Sequence, residues 1–154
     1  MINPRDYALK LITIKDRTEK ELRDKLKEKN FEENTIEEVT VFLKDYGYIN
    51  DKRYAEHFTS DGINIKKWGK SRIRTELLHR GVDRETVENI VEDAFMEVDD
   101  DRLQMEMEKR FGNADFSNMK ERTRIFNFYL RRGFSAEEIK GAMNSLSAFR
   151  NIED

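Results

Sequence analysis

The side chains that most often carry out chemistry in proteins are sparse in this sequence. It contains no cysteine and only two histidines, His57 and His79, which lie far apart and are expected at the surface. Their spacing does not suit a pair of metal ligands, and the absence of a thiol excludes a cysteine nucleophile. The acidic run at residues 99–101 suits the start of a helix, because no glycine-bearing calcium loop follows it. We therefore expect no enzymatic activity, no metal and no cofactor.

Binding is better supported, because basic residues are concentrated in two short segments. Residues 66–80 contain six lysines or arginines and one glutamate. Residues 120–132 contain five lysines or arginines and one glutamate. Residues 82–108, between them, carry 11 acidic side chains and two arginines. The first basic cluster comprises Lys66, Lys67, Lys70, Arg72, Arg74 and Arg80, and the second comprises Lys120, Arg122, Arg124, Arg131 and Arg132. Such clusters favour an anionic partner, either a nucleic acid or an acidic protein groove. The alternative is that both are solvated faces of amphipathic helices.

The overall composition places these clusters in a helical protein. The chain has 154 residues, of which 40% are charged and 37% hydrophobic, with one proline and seven glycines. This composition favours helix, and no period-2 pattern of a strand competes with it. No apolar run approaches the ~20 residues of a membrane span, and the first ten residues lack a signal-peptide pattern. We expect a monomer located in the cytoplasm.

An internal repeat organises the chain. Residues 22–43, 73–94 and 125–146 superpose without a gap, so that apolar residues recur at equivalent positions. The equivalent sets are Leu22, Ile73 and Ile125; Phe31, Val82 and Phe134; Ile36, Val87 and Ile139; Val39, Ile90 and Ala142; and Leu43, Ala94 and Leu146. Their helical spacing predicts two helices in each stretch. A further helix precedes each pair, which gives three tandem three-helix repeats at residues 1–50, 51–97 and 98–154. Stacked repeats of this kind form an elongated and curved all-α body.

Turn and capping residues place the helix ends within each repeat. Asn30, Gly81 and Gly133 are residue types that adopt the left-handed conformation in which helices end. The pairs Thr35–Glu38 and Ser135–Glu138 fit a capping box, Asp83 fits a single cap, and Asn3 with Pro4 fits the start of the first helix. Apolar faces are expected at Tyr7, Ala8, Leu11 and Ile14, at Tyr54, Ala55 and Phe58, and at Leu103, Met107 and Phe111. Tyr46 and Tyr48 are expected to pack at the junction of the first two repeats.

Trp68 is the only tryptophan and lies inside the first basic cluster. Its ring is suited to stack on a nucleic-acid base or to anchor a protein contact. The alternative, which we favour, is that it covers the start of the helix that follows. We keep Trp68 among the candidate binding residues.

Three segments of the sequence resemble the RecX family of regulatory proteins. They are DYALKLITIKDRTEKELRDKLKEKNF from residue 6, VTVFLKDYGYINDKRYAEHF from residue 39 and WGKSRIRTELLHRGV from residue 68. The resemblance covers residues 5–95 well, and the third repeat matches in pattern more than in identity. It implies a fold of tandem three-helix repeats. The matching positions are mainly structural, whereas Lys70, Arg72 and Arg74 match the basic pattern of the family.

The resemblance also implies a function and a partner. RecX-like proteins bind the RecA recombinase, lie in the groove of its filament on single-stranded DNA, and inhibit ATP hydrolysis, strand exchange and coprotease action. The present chain has a net charge of −3, which favours RecA protein as the principal partner and only weak binding to single-stranded DNA. Two other functions stay open from the residues alone, a nucleic-acid-binding module that acts without RecA and a helical scaffold for other proteins.

Overall fold

Helices make up the whole regular structure of the described chain. The computed structural model describes the backbone of residues 2–153 and the side chains of residues 2–148. Within that range there are nine helices and no strand. They are α1 (Pro4–Ile14), α2 (Glu19–Glu28), α3 (Glu33–Asp45), α4 (Asp51–Asn64), α5 (Lys70–His79), α6 (Arg84–Met96), α7 (Arg102–Phe111), α8 (Met119–Arg131) and α9 (Ala136–Glu153). The predicted all-α fold of three-helix repeats is confirmed.

The second helix of each repeat ends in the predicted left-handed residue. Asn30, Gly81 and Gly133 have φ angles of 64°, 93° and 96°. In each case the next residue donates its N–H to a carbonyl five positions back, as Phe134 does to Tyr129 at 3.2 Å. This is the Schellman arrangement, which satisfies carbonyls that have no partner inside the helix. The three repeats therefore use one turn geometry at equivalent positions.

Most helix starts also agree with the sequence. The side chain of Asn3 accepts hydrogen bonds at the start of α1, and Ser135 and Glu138 form a reciprocal capping box at the start of α9. Asp83 caps α6 through the N–H of Thr86 at 3.2 Å. The capping box predicted for Thr35 is wrong, because α3 begins at Glu33 and its N-cap is Glu32. The cap falls two residues after the left-handed residue in every repeat, and in the first repeat that position is Glu32.

The equivalent apolar positions form the buried interior. Leu22, Ile73 and Ile125 are fully buried, and the other aligned apolar residues are buried or half-buried. The expectation that Ile14 lies on the apolar face of α1 is wrong, because Ile14 is the last residue of the helix and is 70% exposed. The predicted packing of Tyr46 and Tyr48 is also wrong, since they are 69% and 46% exposed and their rings lie against Phe42. Among the other expected apolar-face residues, Tyr7, Leu11, Phe58 and Phe111 are half-buried and Ala8, Tyr54, Ala55, Leu103 and Met107 are buried.

The chain forms two compact units, and the middle repeat contributes to both. The first unit contains the chain up to Phe58 together with Glu76–Ile90. The second contains Thr59–Thr75 together with the chain from Val91 onward. A core of buried residues lies within α1–α3 and the turn after α3 in the first unit, and another lies within α7–α9 and the turn before α8 in the second. The division into repeats at residues 50 and 97 stays a prediction.

Candidate partner-binding surface

The first basic cluster is divided by the fold. Lys66, Lys67 and Trp68 lie in the loop after α4, and Lys70, Arg72 and Arg74 lie on α5; all six belong to the second unit. Arg80 follows α5 and belongs to the first unit. There its guanidinium donates a hydrogen bond to the Tyr54 hydroxyl at 2.8 Å and lies 4.6 Å from the centre of the Phe58 ring. Arg80 therefore has a packing role, and its assignment to a binding surface stays a prediction.

A close approach of two backbone segments joins α5 to the turn after α8. The N–H of Gly69 donates to the carbonyl of Arg132 at 2.7 Å, and the N–H of Ser71 donates to the carbonyl of Gly133 at 3.2 Å. A Cβ atom on Gly69 would lie 2.4 Å from the carbonyl carbon of Gly133, and one on Gly133 would lie 2.3 Å from the backbone nitrogen of Arg72. Only glycine permits this contact at either position. We call it the second-unit junction.

The junction brings the adjacent ends of the two basic clusters into contact. Arg132 donates to the carbonyl of Lys66 at 2.8 Å, and Arg72 donates to the carbonyl of Arg131 at 3.0 Å. Because each bond uses a backbone acceptor, it leaves the ammonium of Lys66 and the guanidinium of Arg131 to face solvent, and both residues are exposed. Residues that are 66 positions apart in sequence thus share one basic surface.

Not every candidate residue carries an unopposed charge at this surface. The carboxylate of Glu92 lies 2.6 Å from the Lys70 ammonium and 3.2 Å from the Arg74 guanidinium. The hydrogen bond from Lys70 is the main reason that the pKa of Glu92 is lowered. These ion pairs are exposed to solvent, so they contribute little to stability. They nevertheless reduce the net positive charge that Lys70 and Arg74 offer to a partner.

Trp68 packs at the start of α5, which agrees with the interpretation favoured from the sequence. Its ring is half-buried, and the guanidinium of Arg72 lies 4.6 Å from the ring centre. Its backbone N–H donates to the carbonyl of Gly62 at 2.9 Å, which holds the loop against the end of α4. A contact between Trp68 and a partner stays a prediction.

The remaining residues of the second basic cluster lie at the other end of α8. Arg122 donates to the side chain of Asn144 at 2.7 Å, and the Arg124 guanidinium lies 5.8 Å from the centre of the Phe111 ring. Lys120 is exposed in the first turn. At 1.5 Å per residue the backbone of Arg122 is about 14 Å along the axis from that of Arg131. These three residues are therefore separate from the junction.

Sequence reasoning missed the role of Arg102. Its guanidinium donates to the carbonyl of Ile63 at 3.0 Å and to the carbonyl of Trp68 at 2.6 Å. Burial lowers the pKa of Arg102, because the protein interior disfavours the charged form. The residue fixes the end of α4 and the loop that carries the first basic cluster. Its position in a strongly acidic stretch was the available signal, since an isolated cation there is unusual.

A related contact joins the start of α2 to the turn after α5 in the first unit, but it uses side chains and the charges are opposite. There the hydroxyl of Thr18 donates to the carbonyl of Arg80 at 2.6 Å, and a Cβ on Gly81 would lie 2.4 Å from the Cβ of Lys20. In the repeat alignment Thr18 corresponds to Gly69. The first turn of α2 carries Glu19 and Glu21, whereas the equivalent residues of α5 are Lys70 and Arg72.

The first turns of α2 and α5 therefore carry opposite charges, although the two helices are equivalent in the repeat. The N-terminus of a helix carries partial positive charge, so acidic residues there are stabilising and basic residues are destabilising. Glu19 and Glu21 follow that rule, and Lys70 and Arg72 oppose it. Since the carbonyls of residues 132 and 133 accept the N–H groups of Gly69 and Ser71, that end of α5 is closed to an anion. The side chains of Lys70 and Arg72 have partners within the second unit instead, since Lys70 pairs with Glu92 and Arg72 donates to the carbonyl of Arg131.

The described residues offer no cluster of metal ligands and no helix suited to a membrane. Among those residues no group of three or more histidines, aspartates or glutamates is arranged to hold a metal ion, and the acidic run at residues 99–101 precedes α7. None of the described helices is both long enough and apolar enough to cross a membrane.

Comparison with protein families finds two adjoining matches. The model of the first three-helix domain of RecX matches residues 5–43, and the model of the second matches residues 50–89. The regulatory protein RecX of Finegoldia magna is 34% identical over 142 residues, which cover 88% of this chain and 69% of that protein. The regulatory protein RecX of Clostridioides difficile is 30% identical over 149 residues, which cover 96% of this chain and 70% of that protein.

Solved structures show the same fold. The crystal structure of RecX from Lactobacillus salivarius matches with a TM-score of 0.71 at 28% identity, over 94% of this chain and 95% of that one. A second crystal structure of a regulatory protein RecX has a TM-score of 0.73 at 21% identity, over 92% of this chain and 70% of that one. The second comparison bears on the fold alone.

Proposed function

The chain belongs to the RecX family of regulatory proteins, and we propose that it binds the RecA recombinase filament on single-stranded DNA and inhibits it. The inhibited activities of RecA are ATP hydrolysis, strand exchange and coprotease action. The protein thereby modulates recombination, DNA repair and the SOS response. It acts without catalysis of its own, as a monomer, in the cytoplasm where filaments form on DNA.

One observation carries the assignment of the binding surface. Lys70 and Arg72 stand where the related contact of the first unit has Glu19 and Glu21. In the first unit the start of α2 approaches the equivalent turn through the side chains of Thr18 and Lys20, so an approach of this kind does not depend on cations at the two positions. With Lys66, Arg131 and Arg132 the two cations of the second unit form a basic surface suited to an acidic protein groove or to the DNA within it.

The total charge of the chain favours the protein partner over naked DNA. The net charge is −3. A polyanion attracts a protein at long range only when the electrostatic field of the whole protein is favourable to it. We therefore expect weak binding to free single-stranded DNA that falls steeply with salt. A complex with RecA is expected to hold at salt concentrations that remove the DNA contact.

Charge reversal at two exposed positions tests this surface. Lys66→Glu with Arg131→Glu leaves the backbone carbonyls that Arg132 and Arg72 use, so the fold is expected to persist. Because two cations become anions, we expect about 10-fold more protein to be needed for half-inhibition of the RecA ATPase. Adding Arg72→Glu and Arg74→Glu is expected to weaken inhibition further.

The matched control changes the same net charge elsewhere. Lys27→Glu with Lys52→Glu alters two exposed lysines of the first unit and is expected to inhibit like the unmodified protein. If the control loses as much inhibition as the test variant, the loss is caused by the change in net charge and not by the position of the substitutions. If the folded test variant inhibits fully, the surface is wrongly assigned.

A further inference from the structure

The second unit contains a solvent-open groove beside the basic surface. It has a volume of about 780 Å³ and lies between the loop after α4, the loop before α7 and one face of α7. This volume is within the ~300–1,000 Å³ typical of binding sites. Its apolar lining consists of Ile63, Ile65, Val98 and Met105. Ile65 and Met105 are 69% and 62% exposed, so apolar surface faces water on both sides of the groove.

The lysines and the exposed carboxylates of the groove come from different segments of the chain. Lys67 comes from the loop after α4 and Lys109 from α7, and no ion pair involves either of them within residues 2–148. The guanidinium of Arg102 also lines the groove, and its two hydrogen bonds go to backbone carbonyls. The groove thus presents two cations, Lys67 and Lys109, that have no ion pair among the described side chains, whereas the carboxylates of Glu106 and Glu138 partly offset the charge of Arg102.

Four carboxylates also line the groove, and they act differently. Glu106 accepts a hydrogen bond from the buried Tyr129 hydroxyl and lies 2.8 Å from the Arg110 guanidinium, so its charge is already compensated. Glu97, Asp99 and Asp101 come from the loop before α7 and are exposed. They form an acidic edge, which repels a uniformly anionic ligand such as a nucleic-acid strand.

The loop after α4, which carries Lys67, is held in place before any ligand binds. Lys67 has a φ of 58°, and the N–H groups of Lys66 and Trp68 donate to the carbonyls of Asp61 and Gly62 at 3.0 Å and 2.9 Å. Arg102 holds the Trp68 carbonyl from the other side. A loop fixed by these bonds has little conformational freedom left to lose on binding, which favours a specific site.

We propose that this groove binds a segment of the recombinase that places an apolar side chain between Ile65 and Met105 and directs a carboxylate toward Lys67 and Lys109. This rests on the proposed function, and it names the kind of recombinase surface that the site takes. The apolar walls, the two lysines and the acidic edge together suit a polypeptide, which can carry both an apolar group and charges of both signs. Lys67 belongs both to the groove and to the first basic cluster, so the two sites adjoin.

The test compares two methionine substitutions in the same unit. Met105→Glu puts a carboxylate on the apolar wall, and Met119→Glu puts one at the first position of α8, where Met119 is 74% exposed and outside the groove. Binding to RecA without DNA is measured by biolayer interferometry, with circular dichroism as the check on folding. We expect Met105→Glu to weaken binding about 10-fold or more. Lys109→Glu is expected to weaken it in the same direction, while Met119→Glu binds like the unmodified protein.

The outcomes separate this proposal from the proposed function. If the unmodified protein inhibits the RecA ATPase and both Met105→Glu and Lys109→Glu bind RecA within about two-fold of it, the groove proposal is overturned and the function stands. If Met105→Glu weakens binding to naked single-stranded DNA equally, a nucleic acid is the occupant and the proposal is again wrong. If the unmodified protein neither binds nor inhibits RecA, the proposed function fails first. Should Met105→Glu unfold, Lys109→Glu against the exposed control Lys27→Glu decides the question.

Discussion

At the start of α4, the carboxylate of Asp51 accepts a hydrogen bond from the backbone N–H of Glu19 at 2.9 Å. The contact supplies an acceptor to the first turn of α2, whose N–H groups have no partner within the helix. Burial raises the pKa of Asp51, and the hydrogen bond opposes this effect only in part. The folded protein therefore favours the protonated carboxyl more than the unfolded chain does.

The sign of this shift gives a pH-dependent prediction. A raised pKa in the folded state means that the contribution of Asp51 to stability is fully present below its ordinary value of 3.8 and is lost as the pH rises through the raised value. Asp51→Asn keeps an oxygen acceptor and removes the charge. We expect this variant to be at least as stable as the unmodified protein at pH 7, with an advantage that shrinks as the pH falls toward 4.

Urea unfolding at both pH values measures the effect. Asp51→Ala is the control, because it removes the acceptor as well, and is expected to lose about 1 kcal/mol at pH 7. An Asp51→Asn variant as unstable as the alanine variant at pH 7 would show that the charge itself stabilises the fold.

Arg102 illustrates how a residue of one element can position another. It belongs to α7, but its hydrogen bonds end on the carbonyls of Ile63 and Trp68. A cation is suited to the end of α4, where carbonyls carry partial negative charge. The loop bearing Lys66 and Lys67 is thus oriented by a helix 34 to 39 residues away in sequence.

At the level of the helices, the second-unit junction is a close backbone contact between α5 and the turn that ends α8. Gly133 combines a φ of 96° with a backbone neighbour at 2.3 Å from the position of an added Cβ. Gly133→Ala therefore meets both backbone strain and overlap with the backbone of α5. We expect it to lower the free energy of unfolding by at least about 2 kcal/mol.

Gly141 provides the matched control for that substitution. It lies within α9, and a Cβ there meets nothing within 4 Å. Because alanine is the better helix former, Gly141→Ala is expected to stabilise the protein by about 0.5–1 kcal/mol. Urea unfolding of both variants compares them directly. Equal stability of the two would contradict the close backbone approach at the junction.

For the molecule as a whole, the features that depend on local sequence were predictable. The apolar period located three equivalent helix pairs, and Asn30, Gly81 and Gly133 located the turns within them. Helix periodicity and left-handed turns are properties of short segments, so a single sequence contains them. The misplaced cap at Thr35 came from a capping-box match, whereas the repeat alignment itself points to Glu32.

The features that depend on distant contacts were not predictable. The sequence placed Lys70 and Arg74 in a basic cluster, but it did not indicate that Glu92 pairs with both. It also gave no sign that Arg132 reaches Lys66, or that the exposed Tyr46 and Tyr48 would remain outside the core. Such contacts are set by how helices pack, and their partners are far apart along the chain. The basic surface and the groove therefore became visible only in three dimensions.

We propose that this charged helical protein restrains the RecA filament. The most direct test is the ATPase rate of the cognate recombinase on single-stranded DNA while the folded, unmodified protein is titrated in. We predict that the rate falls at amounts well below one protein per recombinase subunit, because a regulator that limits filament growth acts on few sites. A rate that stays unchanged up to equimolar protein would contradict the account.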